Sequence, residues 1–337
     1  MKLLKNAAFI LLTAAAIAAC NNKVDINADY KDITVVYGLL DQSRTRHFVK
    51  ITKAYQTDGN VYEGAKDSSL SQYNPADIEA YIDEYSNGYF VRTIPLDTFL
   101  VTDKDSGTFY YPNQYVYATP ENTILSQNNE YRLFVKVKSL DKTLKSHTYL
   151  IHDFSVSKPN IGQKYVGFTS PLPQTVEWRS AENGKLYQLI IRFFYVEKDA
   201  GGQKTRHFVD IPLNTKQSKT TTGGEKMVTE FYGELFYQTI AAKVPPPGNG
   251  MVRYADSVYY IFSVADENFT VYMDVNKPSG SVVQERPEYS NVENGIGIFA
   301  GRYNKVRKFW GLTPLSIDSL IDGQYTNRLG FDHEPNP

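Results

Sequence analysis

Residues 131–138 read YRLFVKVK, and the alternation in this octet decides the fold class. Tyr131, Leu133, Val135 and Val137 are apolar, whereas Arg132, Lys136 and Lys138 are charged. A period of two sends one set to each face of a strand, so the octet reads as a strand with one face buried and one wet. Working outward, the runs ITVVYGLL at 33–40, HFVKI at 47–51, IEAYI at 78–82 and GYFVRTI at 88–94 carry the same signature. Turn-forming residues separate them, as in DKDSG at 103–107 and YPNQ at 111–114. Short strands at this spacing are the pattern of a sandwich or barrel, and the N-terminal part is expected to be all β.

The alternation lapses in SKPNIGQKYVGFTSPLPQ at 157–174, where Pro and Gly concentrate and a domain boundary is expected. A second series follows. LYQLIIRFFYVE at 186–197 is apolar on nearly both faces and predicts a central strand; AGGQ at 200–203 predicts a hairpin turn into RHFVDI at 206–211. VYYIFSVA at 258–265 predicts another buried strand. The pentamer TRHFV occurs at 45–49 and again at 205–209, but its flanks do not match at a fixed period, so it reads as chance reuse of a strand-compatible string. In GELFYQTIAAKVPPPGNG, Phe236, Ile240 and Val244 recur every four residues before a triple Pro, the signature of a short amphipathic helix. LSIDSLIDG at 315–323 predicts a second helix with Ser316 as its N-cap and Gly323 beyond its end. The expected fold is mainly β, as two consecutive β-sandwich domains of immunoglobulin or fibronectin-III-like type, the second with one or two short helices.

The amino terminus carries targeting information. Lys2 and Lys5 precede an apolar run from Ala7 to Ala19, which is shorter than the ~20 residues a membrane-spanning helix needs. Small residues close the run, giving the three parts of a secretory signal. Ile17-Ala18-Ala19-Cys20 resembles the lipobox of bacterial lipoproteins, in which the Cys becomes the acylated first residue. Cys20 is the only cysteine, so an intramolecular disulfide is impossible and lipidation is the expected fate. The domain reading is therefore residues 1–19 as lipoprotein signal peptide, 20–32 as lipidated tether, 33–158 as an N-terminal β-sandwich domain, and 159–337 as a C-terminal β-rich domain with short helices.

Composition narrows the chemistry. Thirty-six basic residues against 37 acidic ones leave no overall basic field, which argues against nucleic acid as a partner. The glycines at 295, 297 and 301 do not form a dinucleotide fingerprint, and no nucleophile elbow, phosphate loop or zinc helix is present. His147 and His152, the nearest His pair, are spaced for opposite faces of a strand. Asp103 and Asp105 in TDKDSG lack the further ligands of a Ca²⁺ loop and read as a solvated hairpin turn. No catalytic residue, cofactor or metal site is expected. The aromatic runs FYYPNQYVY at 109–117 and FFY at 193–195 suit sheet packing first, with sugar stacking or an interface as alternatives.

Three segments, VEWRSAENGKLYQLIIRFFYVE at 176–197, PEYSNVENGIGIFAGR at 287–302 and LSIDSLIDGQYTNRLGF at 315–331, resemble a family of uncharacterised Bacteroidota outer-membrane lipoproteins commonly encoded beside TonB-dependent receptors. The resemblance runs from about Ile33 to Phe331 and is most specific in SNVENGIGIFAGR. It implies an outer-membrane lipoprotein of β-sandwich architecture without assigned catalytic activity, and it transfers no active-site residues. In that motif Asn291, Gly295, Gly297 and Gly301 read physically as backbone freedom around the apolar Ile296–Phe299, a determinant of fold. The expected function is non-enzymatic: an accessory or binding component of a TonB-dependent receptor or other outer-membrane complex, held to the membrane by its lipid. The alternative is a surface glycan- or ligand-binding lipoprotein that uses exposed aromatic side chains. With only Asp25 close behind Cys20, either side of the outer membrane fits.

Overall fold

A computed structural model of the chain describes residues 32–55, 57, 60–277 and 288–334. The leader, Cys20 and all of the tether except Asp32 lie outside the described residues. The N-terminal part contains β1 (Thr34–Leu40), β2 (Phe48–Lys53), two short helices α1 (Val61–Ala65) and α2 (Ser68–Ser71), then β3 (Ile78–Ser86), β4 (Tyr89–Pro95), β5 (Asp97–Val101), β6 (Gln114–Ala118), β7 (Glu130–Val137) and β8 (Lys142–Tyr149). There follow β9 (Val156–Lys158), β10 (Tyr165–Val166), β11 (Gln174–Arg179), β12 (Leu186–Lys198), β13 (Lys204–Pro212), β14 (Lys216–Gln217), β15 (Lys226–Phe231), α3 (Glu234–Lys243) and β16 (Val252–Ala265). The chain continues through α4 (Glu267–Asn276), β17 (Ile296–Phe309), β18 (Gly311–Leu312), α5 (Pro314–Asp322) and β19 (Phe331–Asp332). The fold is mainly β.

The opening octet is β7, and its alternation holds: Tyr131, Leu133, Val135 and Val137 are buried. It pairs with β3 and β8 in a four-stranded antiparallel sheet ordered β4-β3-β7-β8. LYQLIIRFFYVE is β12, flanked as expected by β13 and β16. Its inward Tyr187, Leu189, Ile191 and Phe193 are fully covered, whereas the outward Ile190 and Phe194 stay half-buried. AGGQ is the turn between β12 and β13. DKDSG lies in the β5–β6 connection, with Asp103 and Asp105 exposed.

One large sheet, ordered β13-β12-β16-β17-β1-β2-β6-β5, runs through both halves of the chain. Strand β17 joins them. Its first half pairs in parallel with β1, from Val35 against Ile296 to Leu40 against Gly301, and its second half pairs antiparallel with β16, from Ala265 against Arg302 to Val258 against Phe309. The motif predicted as a fold determinant makes this seam. Gly297 has φ of +118°, and a Cβ there would stand 2.0 Å from the Val36 carbonyl oxygen. A Cβ on Gly295 would meet Leu144 at 2.3 Å. The Asn291 amide accepts from the Phe299 N–H at 2.9 Å and donates to the Phe299 carbonyl at 2.7 Å, so a side chain supplies the ladder that β17 lacks on that edge.

Two apolar cores lie under the inner face of this sheet. In the N-terminal one, Val36, Leu40, Val49 and Ile51 pack against Ile82, Leu133, Val135 and Leu144 of the four-stranded sheet. In the other, Tyr187, Ile191, Phe193 and Phe262 pack on Trp178 of β11, with α3 and α5 closing the layer through Phe236, Ile240 and Leu320. Burying each such aliphatic side chain contributes about 1.5–3 kcal/mol.

The helices depart in part from expectation. α3 forms where predicted, with Phe236 and Ile240 fully buried. α5 begins one turn earlier than read: Thr313 occupies its N-cap position, Pro314 the first turn, and Ser316 is buried within it. The Ser316 hydroxyl instead accepts from the Phe168 N–H at 2.8 Å, holding the preceding loop. Three helices went unread. α1 and α2 are capped by the side chains of Asn60 and Asp67, and α4 by Asp266, whose carboxylate accepts from the Phe269 N–H at 2.7 Å.

Candidate functional site

Because Val36, Gly38 and Leu40 of β1 and Val49 and Ile51 of β2 turn inward, Val35, Tyr37, Lys50 and Thr52 must face out. Over these side chains the β5–β6 connection folds back as a roof formed by Phe109 and Tyr110. The roof is tied down at Tyr110: its N–H donates to the Ala65 carbonyl at 2.9 Å, and its carbonyl accepts from the Lys104 ammonium at 2.7 Å. Gln72, at the end of α2, forms a bridge with Thr52 and accepts from the Tyr115 N–H at 3.2 Å. Between floor and roof lies a cavity of about 400 Å³.

Its lining combines four aromatic rings, Tyr37, Tyr55, Phe109 and Tyr110, with three ammonium groups and the amides of Gln72 and Gln114. Phe109 is 54% exposed and Tyr37 39%, so both rings present apolar faces to an incoming molecule. Burial, and then the charge of Lys104, holds the Lys50 ammonium below its ordinary range. Tyr272 of α4 meets Tyr37 edge-on at 6.1 Å; burial first, then a hydrogen bond to Tyr37, pushes its phenol up to about 12. The site thus offers stacking surfaces, neutral amides that both donate and accept, and three ammonium groups, of which Lys50 is desolvated.

The other buried charges are internally closed. Glu84 accepts from Asn129 at 2.7 Å and from the Tyr131 hydroxyl at 2.9 Å, and pairs with Arg92. Arg253 is fully buried and donates to Glu197 and to the carbonyls of Pro245 and Leu329, fastening the C-terminal segment. His147 is exposed on β8, whereas His152 lies beyond the end of that strand, 3.6 Å from Glu182. Among the described residues no three His, Cys, Asp or Glu side chains are placed to hold a metal ion.

Of the two aromatic runs, FYYPNQYVY divides: Phe109 and Tyr110 line the cavity and Tyr117 belongs to the core. In FFY, Phe193 and Tyr195 are core and Phe194 faces outward. The lysines of the cavity went unread in the sequence, because Lys50, Lys53 and Lys104 come from distant positions in a chain whose charges nearly cancel. No family model and no curated protein matches the chain. Among solved structures, the C-terminal globular domain of an oligosaccharyltransferase from Pyrococcus abyssi is similar over 66% of this chain, at 10% identity and a TM-score of 0.26. The chain spans 45% of the length of that protein chain, and a likeness of this degree carries no argument about the site.

Proposed function

We propose that the chain is a non-enzymatic, lipid-anchored outer-membrane binding protein that captures a saccharide ligand in the groove beneath Phe109 and Tyr110. The carrying observation is the concave row of aromatic rings interleaved with amides. A pyranose ring presents an apolar face to stack on and a rim of hydroxyls that need partners able both to donate and to accept, and this lining supplies both. The leader over residues 1–19 with Cys20 directly behind it supports the anchor, and the family resemblance supports the outer membrane. Calorimetric titration with soluble oligosaccharides tests the reading. Phe109→Ala is expected to weaken binding about tenfold or more by removing one stacked ring, with the fold intact because the ring is exposed. Undiminished binding by Phe109→Ala and Tyr37→Ala together would remove the groove from consideration.

A second reading, docking to a TonB-dependent receptor or another outer-membrane protein, draws support from β4. This edge strand exposes Tyr89, Phe90 and Val91 in succession, at 80%, 56% and 50%. An apolar edge with unpaired backbone groups is a template for another chain. Copurification from native membranes in mild detergent should lose its partner in Phe90→Asp. Recovery of the unaltered protein always alone would discard this second reading.

A further inference from the structure

We infer that the groove takes an extended anionic polysaccharide, one bearing uronate carboxylates or sulfate esters, along a path that continues beyond the roofed cavity across the outer face of the large sheet. The inference rests on the saccharide reading and names its ligand class. Three cavities lie in series on that face. The roofed one shares Tyr37 with a second, of about 580 Å³, over the β1–β2 turn. The second shares Arg302 with a third, of about 500 Å³, over the ends of β12 and β16 and bordered by Phe269 and Met273 of α4. The path follows β1 from Val35 to Asp41, ~20 Å at strand rise, then turns past Arg302 and crosses β17 and β16 to β12, another ~14 Å at strand spacing. That length suits a polymer rather than a single small molecule.

Charge identifies the polymer. The chain as a whole carries a formal charge of −1, yet Lys50, Lys53 and Lys104 line the first cavity, Arg44, Arg46 and Arg302 the second, and Lys277 with Arg302 the third. Among the described residues Asp41 is the one carboxylate lining the three. Arg302 is paired with Asp41 at 3.5 Å, Arg46 with Glu121 at 2.9 Å and Lys277 with Asp274 at 2.5 Å. Among the described residues Lys50, Lys53, Lys104 and Arg44 form no close ion pair, although the charge of Lys53 is felt by Asp67, so the stretch along β1 holds four cations without a carboxylate in direct contact. Neutral hydrogen-bonding side chains continue the path beyond them, with Gln188, Gln217, Ser263 and Asn304 in the third cavity. Regularly spaced anions on a hydroxylated, stackable backbone complement this sequence of cations, amides and rings.

The test measures binding of labelled oligogalacturonates of graded length, chondroitin sulfate, neutral xyloglucan oligosaccharides and single-stranded DNA to the full chain in detergent. The expected result is preference for the acidic saccharides, affinity that rises with oligomer length, and a steep loss with added salt. The galacturonate and chondroitin arms tell carboxylate from sulfate recognition. Lys104→Glu should weaken short and long oligomers alike, whereas Lys277→Glu should weaken only long ones, by about tenfold for one charge reversed, with Lys277→Arg restoring them. Equal binding of neutral oligosaccharides, insensitive to these charges, overturns the inference while leaving the saccharide reading in place. Loss of all saccharide binding overturns both. Affinity independent of length, or Lys277→Glu without effect, removes the extended path, and tighter binding of DNA than of any saccharide removes the ligand class.

Discussion

The pentamer TRHFV appears on both sides of the β17 seam of the large sheet, in and just before β2 and within β13, and the two copies share one environment except at the histidine. Phe48 and Phe208 both face outward, 43% and 54% exposed, while Val49 and Val209 are both buried in a core. Each arginine lies over a neighbouring ring, Arg46 at 4.6 Å from Phe99 and Arg206 at 4.0 Å from Phe194. The histidines part company. His47 precedes the first residue of β2, where Thr119 and the backbone of Thr123 close over it, and only 2% of it is exposed. His207 stands mid-strand on the edge of the sheet, stacked on Tyr195 at 5.4 Å and 3.8 Å from Glu197. Alternation dictates facing; what covers a face depends on the element that follows.

The seam between the two ends of the sheet gives the largest expected effect. Gly297→Val places a branched side chain at a positive φ and a Cβ against the Val36 carbonyl, so a loss of about 3 kcal/mol or more is expected in urea melts. If β17 couples the ends, the variant should unfold in two steps, followed separately by Trp178 fluorescence in the C-terminal core and by hydrogen exchange of β7. A single unchanged transition would show that the ends do not depend on this strand.

The histidines give the next effect. Burial lowers His47 below its ordinary range, against the opposing pull of the Thr123 backbone and Asp41. Its folded form therefore resists protonation that the unfolded chain accepts near pH 6.5. Stability from this group is complete above that pH and falls as pH drops toward the folded value, by up to about 1.4 kcal/mol per pH unit. Among the described residues the Nε2 of His47 has no hydrogen-bond partner, so His47→Phe should cost no more than about 1 kcal/mol at neutral pH, for the lost bond to the Thr123 backbone, and flatten the acid-side slope. His207→Phe, on the exposed edge, should change stability by less than about 0.5 kcal/mol. Melts at pH 7.5 and 5.5 for both variants decide whether burial separates the copies.

What could be read in advance follows the same logic. A period-two run identified β7 because half-burial leaves its mark on every second residue, and continuous apolar runs identified β12 and β16 as strands inside the sheet. The parallel pairing of β1 with β17 left none, since an alternating strand does not say which partner it will take. α4 escaped because ENFTVYMDVN buries only Thr270 and shows no continuous apolar stripe; its one local signal was the capping Asp266. The roofed groove was legible only in FYYPNQYVY. Its cations are scattered from Lys50 to Lys104, and only folding collects them.

The arginines give the smallest and most discriminating contrast. Arg206 pairs with Asp256 at 2.6 Å, donates to the Ser257 hydroxyl at 2.9 Å and covers Phe194, so its charge is held by three neighbours. Arg46 has a carboxylate partner, Glu121, that is 75% exposed, and a more distant ring. Water screens the second pair more fully, and the longer approach to Phe99 weakens its cation–π contact. Arg206→Ala is expected to cost about 1 kcal/mol and Arg46→Ala about half that. Double-mutant cycles with Phe194→Leu and Phe99→Leu isolate the ring contribution in each copy. A coupling energy at Arg46 equal to that at Arg206 would mean that the shared pentamer, rather than the neighbours each side of the seam supplies, sets the strength of the contact.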